Sequence, residues 1–271
     1  MANESNILGQ FSLHGKVALI TGSGRGIGFA LAKGFSQAGA TVIVNDIDAE
    51  TARTAAAALN DVGGKAFALP FDVTDFNAAQ KAVDDIVAEH GRIDILMNNA
   101  GILIRQPVEA HDMNAWNKVI NINLSSLYAL ARACAIHMKK QKYGRIISTA
   151  SVMAISSRPG VISYVAAKHG VVGLTRGLAA ELGPDNITVN AIGPGYILTE
   201  MNSKVLNSAF EQQVIDRTPL ARWAKPEELQ GAAVFLASDA ASFVTGQVLM
   251  VDGGMTSNSI LTPSVDLGLA S

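Results

Sequence analysis

Cysteine is almost missing from this chain. Cys134 is the only one among 271 residues, so no internal disulfide can form, and a reducing compartment such as the cytoplasm is expected. That thiol lies in an Ala-rich run (Leu130, Ala131, Ala133) and reads as a small buried apolar residue, not a nucleophile. The histidines, His14, His90, His111, His137 and His169, show no H-x-x-x-H or Cys/His spacing, so no metal is expected. An excess of one charge sign is lacking too. The 21 basic and 23 acidic residues give −2, with no basic stripe for nucleic acid and no solvating acidic tail. No uninterrupted apolar run reaches the ~18 residues of a membrane span. The first residues do not have the charged-then-apolar pattern of a signal peptide, so no membrane partner is expected. Solenoid-period repeats and Pro/Ser-rich linkers are also absent. One domain over 1–271 is therefore expected, with 1–11 as an N-terminal arm and 257–271 as a C-terminal tail.

What the chain does have is aliphatic. It is 49% hydrophobic and only 6% aromatic, a mix suited to parallel strands buried on both faces. Short apolar runs at Val17–Ile20, Thr41–Asn45, Ala66–Leu69, Ile93–Met97, Arg145–Ser148, Thr188–Ile192 and Val248–Val251 are the strand candidates. Helical patterns lie between the first six, and the last two strands read as consecutive. The first helix shows the stripe Ile27, Ala30, Leu31, Gly34, Phe35, Ala38. Asp48 is placed to cap the second, and Thr74 or Asp75 the third. The alternation predicts an α/β fold, a single-domain Rossmann-type doubly wound parallel sheet of about seven strands.

The first strand runs directly into Thr21-Gly22-Ser23-Gly24-Arg25-Gly26-Ile27-Gly28. Glycines there allow a sharp turn and a close backbone approach to a pyrophosphate at a helix N-terminus. The spacing is Gly22-x-x-x-Gly26-x-Gly28, which departs from G-x-G-x-x-G. Asp46 follows the second strand, where a carboxylate accepts both hydroxyls of an adenosine ribose and repels a 2′-phosphate. Asp46 therefore favours NAD, while Arg25 in the turn is placed to reach the phosphate of NADP. Tyr164 and Lys168 stand four apart and share one helix face. A nearby ammonium favours the phenolate and lowers a tyrosine pKa.

Taken together and in order, these motifs are specific: Thr21-Gly22 through Gly28, Asn98-Asn99-Ala100-Gly101, Ser151, Tyr164-x-x-x-Lys168 and Pro194-Gly195. The chain resembles the short-chain dehydrogenases/reductases over roughly residues 12–255. The resemblance implies that Tyr164 is the general acid/base and that Ser151 hydrogen-bonds the reacting oxygen. It also implies that Lys168 binds the nicotinamide ribose and lowers the Tyr164 pKa. Asn123, rather than the neighbouring Asn121, would hold a water linking Lys168 to solvent. Asp72-Val73 resembles the adenine step, and Asn99-Ala100-Gly101 the approach to the adenosine ribose. Pro194-Gly195-Tyr196-Ile197-Leu198-Thr199 resembles the segment that grips the nicotinamide amide through Ile197 and Thr199. Asp72 and Thr199 also read as helix caps, and His169, about 100° around the helix from Lys168, as structural.

Within that family, Phe11-Ser12-Leu13-x-Gly15-Lys16, Thr218 to Trp223 and the positions of Arg105 and Arg158 are similar to gluconate 5-dehydrogenases. A guanidinium binds a carboxylate in bidentate fashion. Arg105 and Arg158 are therefore the candidate anchors of a sugar acid, beside Ser151 and Tyr164. The alternatives are a 3-oxoacyl-(acyl-carrier-protein) reductase, a sugar or polyol dehydrogenase, or a cofactor-binding regulator without turnover. The last strand with Asp252-Gly253-Gly254 resembles the edge that pairs subunits, so a homotetramer or homodimer is expected.

Overall fold

The computed structural model describes residues 6–199 and 208–257. Most of the expected C-terminal tail and the start of the N-terminal arm lie outside the described residues. The rest of the arm forms a 3-10 turn, Ile7–Phe11.

The parallel strands β1 (Val17–Ile20), β2 (Thr41–Val44), β3 (Lys65–Ala68), β4 (Ile95–Asn98), β5 (Gly144–Thr149), β6 (Ile187–Pro194) and β7 (Val248–Val251) form one sheet. Its order is β3-β2-β1-β4-β5-β6-β7. The chain runs outward from β1 to β3, then returns to place β4 on the other side of β1. That reversal opens a crevice beyond the carboxyl ends of β1 and β4, where open α/β sheets bind ligands.

Helices α1 (Gly26–Gln37), α2 (Ala49–Asn60), α3 (Phe76–His90), α4 (Met113–Ile120), α5 (Ser126–Gln141), α6 (Ile162–Leu182), α7 (Ala209–Arg217) and α8 (Gln230–Ala237) cover both faces. The period of two along β1 sorts the core. Ala18 and Ile20 join Leu31 and Phe35 of α1 and Leu236 of α8 on one face. Val17 and Leu19 join Val83, Ile86, Leu130 and Cys134 of α3 and α5 on the other. Asp48 caps α2 by accepting from Thr51 N at 2.7 Å, and Asp75, not Thr74, caps α3.

One expectation needs correction. Strands β6 and β7 are not consecutive: α7 and α8 lie between them, and the two strands pair in parallel. A parallel pair needs such a crossover, whereas adjacency would have made the last strand antiparallel. Among the described residues one helical stretch, Met113–Gln141, is long and apolar enough to span a bilayer by length and composition, although no uninterrupted apolar run within it is. Half of its most apolar window is buried within the domain, and α5 packs on α3, β4 and β5. A core helix of an α/β sheet has this composition for that reason.

Candidate active site

At the end of β1 the chain turns through Thr21–Arg25 into α1. Gly22 adopts φ +59°, and a Cβ there would sit 2.9 Å from Ala100 Cα. A Cβ on Gly28 would lie 2.1 Å from Gly22 O. The turn is thus closed on itself by glycine at both positions. Thr21 Oγ1 accepts from Asn99 N and Ala100 N at 3.0 and 3.1 Å. Asn99 Nδ2 donates to Thr21 O and Gly22 O at 3.1 and 3.0 Å. No side chain caps α1, so its first N–H groups, beside Gly26 and Gly28 on the cavity wall, suit an anion.

Asp46 stands half-buried at the far end of this wall, accepting from Asp48 N at 3.2 Å. Its Oδ2 would be 2.7 Å from a Cβ on Gly24, so the carboxylate packs directly over the turn. Arg25 is exposed on the same edge. The Asp48 carboxyl is held below its ordinary range, first by hydrogen bonds with Thr51 and less by the Arg25 charge. Asp72 does not cap a helix; its Oδ1 accepts from Thr74 N and Oγ1 at 2.8 and 2.7 Å in a local turn. Val73 beside it is buried.

One cavity of about 670 Å³ joins these elements to the second cluster. Tyr164 and Lys168 face it from successive turns of α6, with Lys168 Nζ 5.4 Å from the Tyr164 ring centre. Lys168 Nζ donates to Thr149 O at 2.6 Å. Burial brings its pKa down to about 8. Tyr164 is pushed above its ordinary value by burial, opposed by the Ser151 hydroxyl and the Arg158 charge. The expected lowering by Lys168 is therefore not what this geometry gives. Both groups are buried at one spot, and loss of water penalises the phenolate and the ammonium alike. Ser151 Oγ also accepts from Met153 N at 3.1 Å, capping a short 3-10 turn.

Asn123 lies in a π-helical turn, Asn121–Ser125, inserted between α4 and α5. The wider turn rotates Asn123 inward and leaves Asn121 exposed. Asn123 Nδ2 donates to Ile102 O and Val119 O, each at 3.0 Å, while the buried Oδ1 has no protein donor. An acceptor left free in this way fits a bound water near Lys168. Pro194, Gly195, Ile197 and Thr199 form the opposite wall, and Arg105 and Arg158 also line the cavity. Of the residues expected to face the cofactor, Ser23 and Gly24 do not line the cavity. The Ser23 hydroxyl is fully buried and donates to Ile20 O at 2.8 Å. His169 and Cys134 lie away from the cavity, and burial pushes the Cys134 thiol up.

Residues 22–256 match the family model described as enoyl-(acyl carrier protein) reductase. The chain belongs to the short-chain dehydrogenase/reductase family. It is 45% identical over 246 residues to the 5-keto-D-gluconate 5-reductase of Escherichia coli K12, covering 90% of this chain and 97% of the relative. It is 41% identical over 243 residues to the 3-oxoacyl-(acyl-carrier-protein) reductase FabG of Thermotoga maritima, 90% of this chain and 98% of that one. A gluconate 5-dehydrogenase from Burkholderia cenocepacia J2315, solved in complex with NADP and tartrate, superposes with TM-score 0.90 at 42% identity. That likeness covers 93% of this chain and all of the other, 100%.

Two features of this short-chain dehydrogenase/reductase escaped the sequence reading. Asn45, at the end of β2, accepts from Gly22 N at 3.3 Å and donates to Leu69 O and Phe71 O at 3.3 and 3.1 Å. It ties the glycine turn to the segment carrying Asp72 and Val73. Its signal was a buried amide immediately before Asp46, in an otherwise aliphatic strand. The second is an aromatic trio, Tyr196, Phe210 and Trp223, with ring centres 5.3 to 6.4 Å apart. These residues are too far apart in the chain for any local pattern to reveal them.

Proposed function

We propose that this chain is a cytoplasmic NAD(P)-dependent oxidoreductase that interconverts a secondary alcohol and a ketone on a sugar acid, D-gluconate and 5-keto-D-gluconate. The observation that carries this reading is the shared cavity. Tyr164, Ser151, Lys168 and Asn123 line it together with residues of the glycine turn, Arg105 and Arg158, which supports this reading. When bound, the dinucleotide supplies the hydride acceptor or donor. The turn from Gly22 to Gly28 and the free N–H groups of α1 suit its pyrophosphate. Asp46 suits the adenosine ribose, with Asp72, Val73, Asn99, Ala100 and Gly101 along the adenosine side. Pro194, Gly195, Ile197 and Thr199 suit the nicotinamide amide. The Asp46 carboxylate favours NAD over NADP, because it would oppose a 2′-phosphate.

In the oxidative direction Tyr164 Oη, as phenolate, takes the hydroxyl proton while the carbon bearing that hydroxyl gives up its hydride, for which the oxidised dinucleotide would be the acceptor. Reduction reverses both transfers. Ser151 Oγ donates to the substrate oxygen and steadies its charge. Lys168 holds the nicotinamide ribose, and Asn123 Oδ1 fixes a water that passes protons between Lys168 and solvent.

Arg158, half-buried at the cavity wall, and Arg105, exposed beside it, would hold the substrate carboxylate. Arg158→Ala is expected to raise KM for 5-keto-D-gluconate about tenfold, the scale of one lost charge-assisted hydrogen bond. Arg105→Ala should give a smaller rise. Steady-state kinetics check this, and an unchanged KM in both variants defeats the carboxylate anchor.

A second reading, reduction of a 3-oxoacyl thioester, is favoured by the 41% identity to the Thermotoga enzyme and would use the same four residues. For assembly, β7 ends the sheet with a free outer edge among the described residues, and Leu249 on it is exposed. That edge supports a homotetramer or homodimer. Light scattering reads the mass directly, and a monomer contradicts it.

A further inference from the structure

The guanidinium of Arg158 is held in an unusual way for a charged group at a cavity wall. Among the described residues no carboxylate pairs with it, and its N–H groups make no hydrogen bond to them. It is flanked by rings instead. The Phe210 ring centre is 5.2 Å from Arg158 Cζ and the Tyr196 ring centre 6.0 Å. The two rings meet nearly edge to face, at 72° and 5.6 Å. Beneath both lies Trp223, 4% exposed, at 5.3 Å from Tyr196 and 6.4 Å from Phe210. Tyr196 comes from the strand exit beside Gly195 and lines the cavity, whereas Phe210 comes from α7, none of whose residues lines it.

The chemistry of the two ways of holding an arginine differs. A salt bridge within the protein would occupy the in-plane N–H donors. Aromatic faces attract the cation through the ring quadrupole and leave those donors free for a planar, bidentate acceptor. We propose that Phe210 is a positioning residue that, with Tyr196, holds the Arg158 guanidinium ready for a substrate carboxylate and so selects sugar acids over uncharged sugars. This rests on the carboxylate-anchor reading above and assigns a role to an element that reading does not use. The charge of Arg158 also favours the Tyr164 phenolate, so the same placement keeps the cation near the reacting oxygen.

The test compares Phe210→Leu, Phe210→Tyr and Arg158→Ala, alone and combined, in ketone reduction near neutral pH. At that pH Tyr164, raised by burial, stays protonated in every variant. Phe210→Leu should raise KM for 5-keto-D-gluconate about 3- to 10-fold, within the range of a cation–π contact and no more than the loss of the guanidinium itself. The kcat, the dinucleotide Kd and the KM for a neutral ketohexose should stay within about twofold. Phe210→Tyr should restore KM, which also shows that α7 remains folded. In the Arg158→Ala background, Phe210→Leu should add nothing. An equal effect on acid and neutral substrates, or effects that multiply with Arg158→Ala, overturns the proposal. If Arg158→Ala raises KM and Phe210→Leu does not, only the role of Phe210 fails. If Arg158→Ala is silent, the anchor fails and the role of Phe210 with it.

Discussion

Tyr164→Phe is expected to lower kcat in both directions by about a thousandfold, within the range of a lost general acid/base, while the dinucleotide Kd changes less than about threefold. The substitution removes one hydroxyl and keeps the ring, whose centre lies 5.4 Å from Lys168 Nζ. The cavity wall is therefore preserved and only the proton transfer is lost. A pure binding module would lose nothing. The wild-type pH profile carries the same information with opposite signs in the two directions. Burial pushes Tyr164 above its ordinary value, so the protonated acid persists through neutral pH. Reduction should be flat there and fall on the alkaline side, whereas oxidation, which needs the phenolate, should climb as pH rises. Lys168, brought down to about 8, titrates within the same window. Stopped-flow or steady-state rates across pH check both slopes.

Gly28→Ala should abolish tight dinucleotide binding and lower stability together. Two effects compete at this helical position. Alanine is the better helix former by about 1 kcal/mol. Against that, its Cβ would lie 2.1 Å from Gly22 O and 2.6 Å from Asn99 Nδ2. Neither neighbour can yield easily, because Asn99 Nδ2 already donates to Gly22 O at 3.0 Å and to Thr21 O at 3.1 Å. The start of α1 must move away from the turn. Overpacking of this kind costs about 1–3 kcal/mol or more, so the clash wins. A fall in Tm of about 2–6 °C is expected, with a loss of at least about tenfold in dinucleotide affinity, since the helix N–H groups no longer point into the turn. Calorimetry and a fluorescence titration read the two effects separately. Stability and affinity at wild-type values would contradict the close approach.

The part of this architecture that was legible in the sequence is the part governed by local rules. The β1 run, the glycine turn and the α1 stripe are contiguous, and each obeys a steric or periodic requirement that glycine or aliphatic spacing reveals. The cap of α2 was visible because Asp48 sits immediately before apolar periodicity, whereas for α3 the sequence left Thr74 and Asp75 as alternatives and only the structure selects Asp75. Ser151, Tyr164 and Lys168 were legible only as a set, through resemblance, since each residue alone is common on helices and turns. The π-helical turn at Asn121–Ser125 was not legible, because one extra residue in a helical ring leaves no mark on a 3.6-residue pattern. Asn45 was hidden inside an apolar strand, although a buried amide there must find partners. The aromatic trio and the Arg158 guanidinium beside two of its rings bring together residues from four separate segments, which only the fold can do. The desolvation that raises Tyr164 likewise depends on everything packed around it.

Substrate preference is read by measuring kcat/KM on one preparation for 5-keto-D-gluconate, a neutral ketohexose and a 3-oxoacyl thioester, each with NADH and NADPH. The reverse reaction is run on gluconate and a polyol. The expected result is a preference of at least about tenfold for the sugar acid, the worth of about 1.4 kcal/mol of carboxylate recognition, with NADH ahead of NADPH as Asp46 favours. A thioester turned over faster than the sugar acid would contradict the substrate, and a tenfold or greater preference for NADPH would contradict the reading of Asp46.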